Sequence, residues 1–214
     1  MPQKIKHTFL LACMILCTSV VSYSQVNNPQ FDCLSIDNAG LLRKSFASFE
    51  KDLFTHYNFE NDTVKTYRTF LNEVYTLSIN LRKLPSDNSI QLARIFKKRA
   101  TDRNSLWVLL SQYGEEMVAS DGTNIQKTTQ DGEEEILTFN YRGGFIQCLK
   151  NNSDSELFID IINTLELDGN VSPSLIAQRL HDLPDGEFNT PQVKNFIAFD
   201  IFYSILLVIE KAFK

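Results

Sequence analysis

The chain has 214 residues, of which 21 are basic and 26 acidic, so its formal net charge at pH 7 is −5. A negative total argues against a nucleic-acid-binding protein, because that binding depends on lysine and arginine side chains that neutralise phosphates. The aromatic residues are mostly phenylalanine, with a single tryptophan, Trp107. This composition favours packing between helices over a sugar-binding platform.

The first 24 residues have the pattern of a cleaved signal peptide. Lys4 and Lys6 precede an apolar run over residues 9–21, and Ser22-Tyr23-Ser24 supplies small residues at the positions that a signal peptidase reads. The run is shorter than the roughly 20 residues that a membrane-spanning helix needs. We therefore predict cleavage before Gln25.

Cleavage would leave residues 25–214, a length typical of one domain, in the periplasm or outside the cell. The competing interpretation is a lipoprotein, since Leu10-Leu11-Ala12-Cys13 loosely resembles the bacterial lipobox. Against that alternative, the apolar run continues beyond Cys13. Loss of Lys4 and Lys6 would also make the exported protein more acidic than the full chain.

The cysteines divide between the leader and the domain. Cys13 and Cys17 lie in the leader, and Cys33 and Cys148 remain after its removal. An even pair in an oxidising compartment most simply forms one disulfide, worth about 2–4 kcal/mol in a loop-entropy account. The alternative is two separate buried thiols.

Apolar residues at helical spacing predict four helices in the first half of the domain. They run from Asp37 or Asn38 to about Tyr57, from Asn61 or Asp62 to Leu84, from about Ser89 through Phe96, and from Asn104 to Tyr113. Pro85 is expected to stop the second helix, and Gly114 suits the C-terminal cap of the fourth.

The middle of the chain breaks this pattern. Residues 119–131 are polar and contain two Asp-Gly pairs, which predicts a mobile loop. Residues 136–141 and 145–149 flank Arg142-Gly143-Gly144, and glycines at that position favour a β-hairpin. An irregular entry into another helix is the alternative.

The C-terminal third predicts three more helices. They begin at the capping box Ser153 to Glu156, at Ser172-Pro173 and at Thr190-Pro191. The last is apolar nearly all round, which is typical of a central bundle helix or of a membrane segment. Asp200 interrupts it and would be costly inside a bilayer, so we favour the buried core. The predicted fold is a mainly α bundle of six or seven helices, with possibly one small β-hairpin near 136–149.

The domain offers little catalytic chemistry. His56 and His181 are the histidines that remain after the leader, and neither has a second histidine three or four residues away, the helical spacing typical of a zinc site. We therefore predict no metal and no cofactor. A small hydrolase that uses His56 or His181 with a nearby carboxylate is kept as an alternative function.

Charge is distributed unevenly. The third helix and its flanks are basic, at Arg82, Lys83, Arg94, Lys97, Lys98, Arg99 and Arg103. The loop that follows is acidic, at Glu115, Glu116, Asp121, Asp131, Glu133, Glu134 and Glu135. Both sets could be solvated faces, but a loop of one sign can also steer a partner of opposite charge.

The functional prediction is a non-catalytic exported protein that binds another protein, in the manner of an immunity or inhibitor protein. Its acidic loop is the expected contact surface. Besides the hydrolase, a membrane-attached structural protein held by the C-terminal helix is a further alternative.

Overall fold

The computed structural model describes residues 32–37, 39–100, 105–111, 113, 136–169 and 171–212, all of them within one compact unit, Phe31–Lys214. These ranges contain seven helices and one two-stranded antiparallel sheet, which confirms the mainly helical fold class with a small sheet. The predicted leader, its cleavage site and the lipobox lie outside the described residues.

The helices are α1 (Leu41–Tyr57), α2 (Thr63–Tyr75), α3 (Asp87–Arg99), α4 (Gly144–Asn151), α5 (Glu156–Asp168), α6 (Pro173–His181) and α7 (Pro191–Ile209). The strands are β1 (Trp107–Leu109) and β2 (Leu137–Phe139). Short 3-10 turns cover Cys33–Ser35, Asp185–Asn189 and Glu210–Ala212.

Helix α7 is the centre of the bundle, as its apolar composition predicts. It is α-helical over Pro191–Phe196, π-helical over Ile197–Tyr203 and α-helical again over Ser204–Ile209. Its aromatic rings contact rings from most of the surrounding elements. These contacts join Phe202 to Phe49 and Phe70, Phe199 to Phe96 and Phe145, and Phe196 to Phe139 and Phe158. Among the described residues α7 alone is long and apolar enough to cross a membrane, and 72% of that window is buried.

The second helix is shorter than predicted. The Asp62 side chain accepts a hydrogen bond from the Lys65 N–H, so the predicted cap is confirmed, but α2 ends at Tyr75 and not at Leu84. The Thr76 hydroxyl bonds back to the Asn72 carbonyl (2.7 Å), which competes with continuation of the helix. Leu77 then adopts a positive φ of 57° and is 80% exposed.

The fourth predicted helix is wrong over its first half. Residues 107–109 form β1, and helical conformation appears only from Leu110. β1 pairs antiparallel with β2, in the register Trp107↔Phe139, Val108↔Thr138 and Leu109↔Leu137. The Trp107 and Phe139 rings are 5.4 Å apart, so the pairing buries two large aromatic side chains.

The small sheet is therefore present, but residues 137–139 pair with residues 107–109, whereas the hairpin prediction paired them with residues 145–149. Residues 145–149 belong to α4, and the alternative of an entry into a helix is confirmed. Gly143 is the N-cap of that helix, so Gly143-Gly144 starts a helix and does not form a hairpin turn.

Most predicted helix starts are correct within two residues. The Ser172-Pro173 and Thr190-Pro191 starts are confirmed. The N-cap of α5 is Ser155, two residues after the predicted Ser153. Helix α3 likewise begins at Asp87, two residues before the predicted Ser89, because the Ser86 hydroxyl caps it.

Candidate functional site

The predicted disulfide is present. Cys33 and Cys148 are bonded, with Cα atoms 5.8 Å apart, across 115 residues of sequence. Cys33 lies in the first 3-10 turn and Cys148 in α4. The bond therefore attaches the start of the described domain to a helix in the middle of the chain.

The seven predicted acidic partner-binding residues, Glu115, Glu116, Asp121, Asp131, Glu133, Glu134 and Glu135, lie outside the described residues. The chain on both sides of them is described. We call residues 114–135 the acidic segment; it carries seven carboxylates and one lysine, Lys127. At its base, the Leu110 N–H donates to the Ile136 carbonyl (2.8 Å), which extends the β1–β2 pairing by one residue.

Tyr113, directly before the acidic segment, is held by a cluster at the end of α5. Its hydroxyl donates to the Glu166 carbonyl (3.2 Å) and its ring lies under the Arg142 guanidinium at 4.5 Å. Arg142 also donates to the carbonyls of Tyr113 (3.3 Å) and Glu166 (3.2 Å). Because the Glu166 carbonyl lies in the last turn of α5, the Arg142 cation interacts favourably with the negative end of the α5 dipole.

The Glu166 side chain completes this cluster. Its carboxylate accepts hydrogen bonds from Gln147 (2.5 Å) and Lys150 (2.8 Å), which joins α5 to α4. Gly169 ends α5 at a φ of +67°, and a Cβ there would lie 2.1 Å from the Tyr113 ring. The position therefore requires glycine for both its backbone conformation and its packing.

The two histidines are placed apart from the cavities. His181 Nδ1 lies 3.6 Å from a carboxylate oxygen of Asp182, whose side chain is 78% exposed. His56 packs its ring edge-on against Tyr57 at 4.8 Å. Cavities of about 750 and 450 Å³ are present, and neither residue lines either of them. Within the part of the chain that the structure describes, neither histidine therefore lies at these two cavities.

Asp200 is a buried polar residue to which sequence reasoning gave no role beyond interrupting α7. It lies in the π-helical stretch and is 2% exposed. The Tyr141 hydroxyl donates to Oδ1 at 3.0 Å, and Oδ2 has no hydrogen-bond partner among the described residues. Burial raises the pKa of Asp200 to about 8, against a smaller lowering effect of the Tyr141 hydrogen bond. The neutral acid is therefore the main form at pH 7.

The basic residues separate into two sets. Lys97 (3.0 Å) and Arg94 (3.5 Å) both contact the Glu210 carboxylate at the C-terminal end of the domain. Lys98 and Arg99 are exposed and line the larger cavity. Arg82 and Lys83 are exposed in the turns before α3, and Arg103 lies outside the described residues.

Among the described residues, no group of three or more His, Cys, Asp or Glu side chains could hold a metal ion. Comparison with protein-family models, with curated proteins and with solved structures gives no match to this chain. The arrangement of its own residues is therefore the basis for a functional proposal.

Proposed function

We propose that this chain is an exported protein that binds a basic surface of another protein through its acidic segment, as an immunity or inhibitor protein would. The observation that carries the proposal is the anchoring of both ends of a highly charged segment. The β1–β2 pairing holds the side of Ile136, and the Arg142–Glu166 cluster holds the side of Tyr113.

Anchoring matters because the free energy of binding must offset the conformational entropy that a loop loses when it becomes ordered on its partner. A segment whose ends are already fixed has lost part of its conformational freedom before a partner arrives, so its association costs less than that of a free tail. Seven carboxylates against one lysine give the segment a strong field of one sign. Such a field accelerates encounter with a basic surface and disfavours acidic partners.

Export is supported by the predicted leader and by the Cys33–Cys148 bond, since disulfides persist mainly outside the cytosol. Expression of the full chain with intact-mass analysis and thiol alkylation tests it. We expect a product that begins at Gln25 and has no free thiol. A product that begins at Met1 with free thiols would contradict export.

The binding role is tested with two charge-matched variants. The first neutralises four residues of the acidic segment, Asp131→Asn, Glu133→Gln, Glu134→Gln and Glu135→Gln. The control neutralises four exposed carboxylates elsewhere, Glu60→Gln, Asp154→Asn, Asp160→Asn and Asp168→Asn. Both proteins lose the same formal charge.

Each variant and the wild type are immobilised and exposed to the extracytoplasmic protein fraction of the source cells, and bound proteins are quantified by mass spectrometry. A basic partner should be retained by the wild type and the control, lost by the segment variant, and released by salt. Equal retention by both variants would rule out the acidic segment as the contact surface.

A further inference from the structure

The turn after α2 holds a leucine in a backbone conformation that leucine rarely adopts. Four described residues other than glycine have a positive φ, and Leu77, at 57°, is the apolar member of the set. The Leu77 N–H donates to the Val74 carbonyl (3.2 Å), and the Ser78 N–H donates to the Glu73 carbonyl (2.9 Å). These bonds close the helix in a pattern whose left-handed position is usually glycine, since a Cβ is unfavourable there.

The side chain of Leu77 is also left in solvent. It is 80% exposed, whereas Ile79 and Leu84 from the same connection pack against the core. Tyr75, two residues before it at the end of α2, is 40% exposed. Leu77 therefore combines an unfavourable backbone conformation with an exposed apolar side chain, and neither stabilises the fold. Backbone outliers that persist in spite of such a cost are typical of functional sites.

The same connection is basic. Arg82 and Lys83 are exposed, and neither forms an ion pair with any residue that the structure describes. Residues 74–86 include no carboxylate. The acidic residues on either side are Glu73, whose carboxylate is already hydrogen-bonded, and Asp87, in the first turn of α3. An anionic partner would therefore meet two cations that hold no carboxylate within the described part of the chain.

The connection is folded into turns, so its apolar and basic side chains lie close together. The Lys83 N–H donates to the Asn80 carbonyl (3.1 Å), and the Arg82 N–H donates to the Asn80 side-chain oxygen (3.3 Å). The Cα atoms of Leu77 and Arg82 are therefore nearer than the roughly 18 Å that five extended residues would span. We call Tyr75, Leu77, Arg82 and Lys83 the basic turn.

We propose that the basic turn attaches the protein to the surface of an anionic membrane. Leu77 and Tyr75 enter the boundary between the headgroups and the acyl chains, and Arg82 and Lys83 pair with lipid phosphates. A bilayer accepts a protruding apolar side chain without a preformed pocket, whereas a protein partner would need a complementary groove. Tyrosine is also enriched at this depth of a membrane. The attachment is separate from the acidic segment and does not depend on its role.

Flotation with lipid vesicles measures the attachment. We would mix the protein, in the form that its cells release, with vesicles of phosphatidylcholine alone or with about one third phosphatidylglycerol, at low and at high salt. At low salt, binding to the anionic vesicles should exceed binding to the neutral ones by about tenfold or more, because each basic residue near such a surface contributes about a factor of five. Equal binding to both, or binding to neither, would overturn the proposal.

Leu77→Gly separates a membrane role from a structural one. Because glycine is favoured at a positive φ, this variant should unfold at the wild-type temperature or up to about 4 °C higher. Its affinity for the anionic vesicles should nevertheless fall by about tenfold or more, because the apolar side chain is lost. Leu167→Ala is the control, since Leu167 is 72% exposed on α5, and it should bind as the wild type does. Wild-type affinity in Leu77→Gly would contradict the proposal.

A pair of charge variants tests the cations. Arg82→Gln with Lys83→Gln should weaken vesicle binding by about tenfold or more. Lys98→Gln with Arg99→Gln removes the same charge from the other end of α3 and should leave the affinity within about twofold of the wild type. Equal weakening in both would mean a general attraction that does not involve the basic turn. Binding of poly-L-glutamate as strong as that of the vesicles, and independent of Leu77, would assign the cations to an acidic protein and overturn the membrane proposal.

Discussion

Asp52 and Asp200 are both buried aspartates, 5% and 2% exposed, yet the protein surrounds them differently. Asp52 lies on α1, where its Oδ2 accepts the Ser89 hydroxyl (2.6 Å) and the Ser86 N–H (3.0 Å). The Ser89 oxygen is in turn 2.7 Å from the Ser48 oxygen. Asp200 has the Tyr141 hydroxyl on one oxygen and no hydrogen-bond partner on the other among the described residues.

The comparison indicates two ways of burying a carboxyl group. Around Asp52, donors from α1 and from the start of α3 replace water, so the polar group becomes a connection between two helices. Around Asp200, the bundle centre is apolar, and the group adapts by keeping its proton. The first arrangement should be sensitive to side-chain deletion and the second to pH. The predictions below test that distinction in order of expected size.

The largest effect concerns the pH dependence contributed by Asp200. Its pKa is about 8 in the folded protein against an ordinary value of 3.8, so the folded state binds the proton more tightly. The stabilisation is complete below about pH 4 and is lost as the pH rises to 8. At about 1.4 kcal/mol per pH unit, the loss between pH 5 and pH 8 should be about 4 kcal/mol. Urea unfolding at pH 5, 6.5 and 8 measures it.

Asp200→Asn is the control for this effect. It removes the ionisable group and leaves an oxygen for the Tyr141 hydroxyl. As the pH rises, the unfolding free energy of the wild type should therefore fall relative to that of the variant. Parallel pH profiles for the two proteins would refute the proposed titration of Asp200.

The second effect is the loss of an acceptor in Asp52→Ala. The Ser86 N–H and the Ser89 hydroxyl would lose their shared partner in a buried environment, which should cost about 2–3 kcal/mol. Asp160→Ala is the matched control, because Asp160 is exposed on α5, and it should change stability by less than about 0.5 kcal/mol. The midpoints of urea unfolding of the two variants measure this difference. Equal, small changes would mean that the Asp52 hydrogen bonds contribute nothing to stability.

The third effect is smaller and depends on pH. Tyr141→Phe removes the hydrogen bond to Asp200, which should cost about 1 kcal/mol at pH 6, where the acid is neutral. Above pH 8 the cost should rise, because a hydrogen bond to a charged carboxylate is stronger. In the Asp200→Asn background that rise should disappear. A cost independent of pH would separate Tyr141 from the ionisation of Asp200.

The smallest effect concerns the outer member of the Asp52 network. Ser48→Ala removes one hydroxyl but leaves both donors on Asp52 in place, so we expect a loss of no more than about 1 kcal/mol. Thermal unfolding of Ser48→Ala beside Asp52→Ala measures the difference. A loss as large as that of Asp52→Ala would mean that the hydroxyl itself, and not the carboxylate, organises the network.

How far the sequence was informative depends on the range of the interaction involved. Asp62, Ser172 and Thr190 act within a few residues of their own position, so their cap roles were predictable. Leu106 to Tyr113 has helical spacing, but Trp107 gains more from facing Phe139 in the sheet, and a contact across 32 positions leaves no local pattern. Leu84 is buried as its spacing predicts, although it reaches the core from a turn beyond the end of α2.

The same contrast applies to the sites. The cysteine count, together with the predicted leader, pointed to the Cys33–Cys148 pair, because only one partner then remained for each. Lys98 and Arg99, which line the larger cavity, were visible in the sequence only as part of a basic run. Glu210, 113 residues after Lys97, forms ion pairs with Lys97 and Arg94. The sequence gives no sign of which cations in the run have such a distant partner.

From the sequence alone came the helical class, the apolar central helix, the helix caps and the cysteine pairing, because hydrophobic period, capping and residue counts are properties of neighbouring or unique residues. Tertiary structure alone decided that β1 pairs with β2, that Asp200 is desolvated beside Tyr141, and that Lys98 and Arg99 border the larger cavity. Each of these results depends on which distant side chains occupy the same space, and burial and pairing energies are set by that neighbourhood and not by local order along the chain.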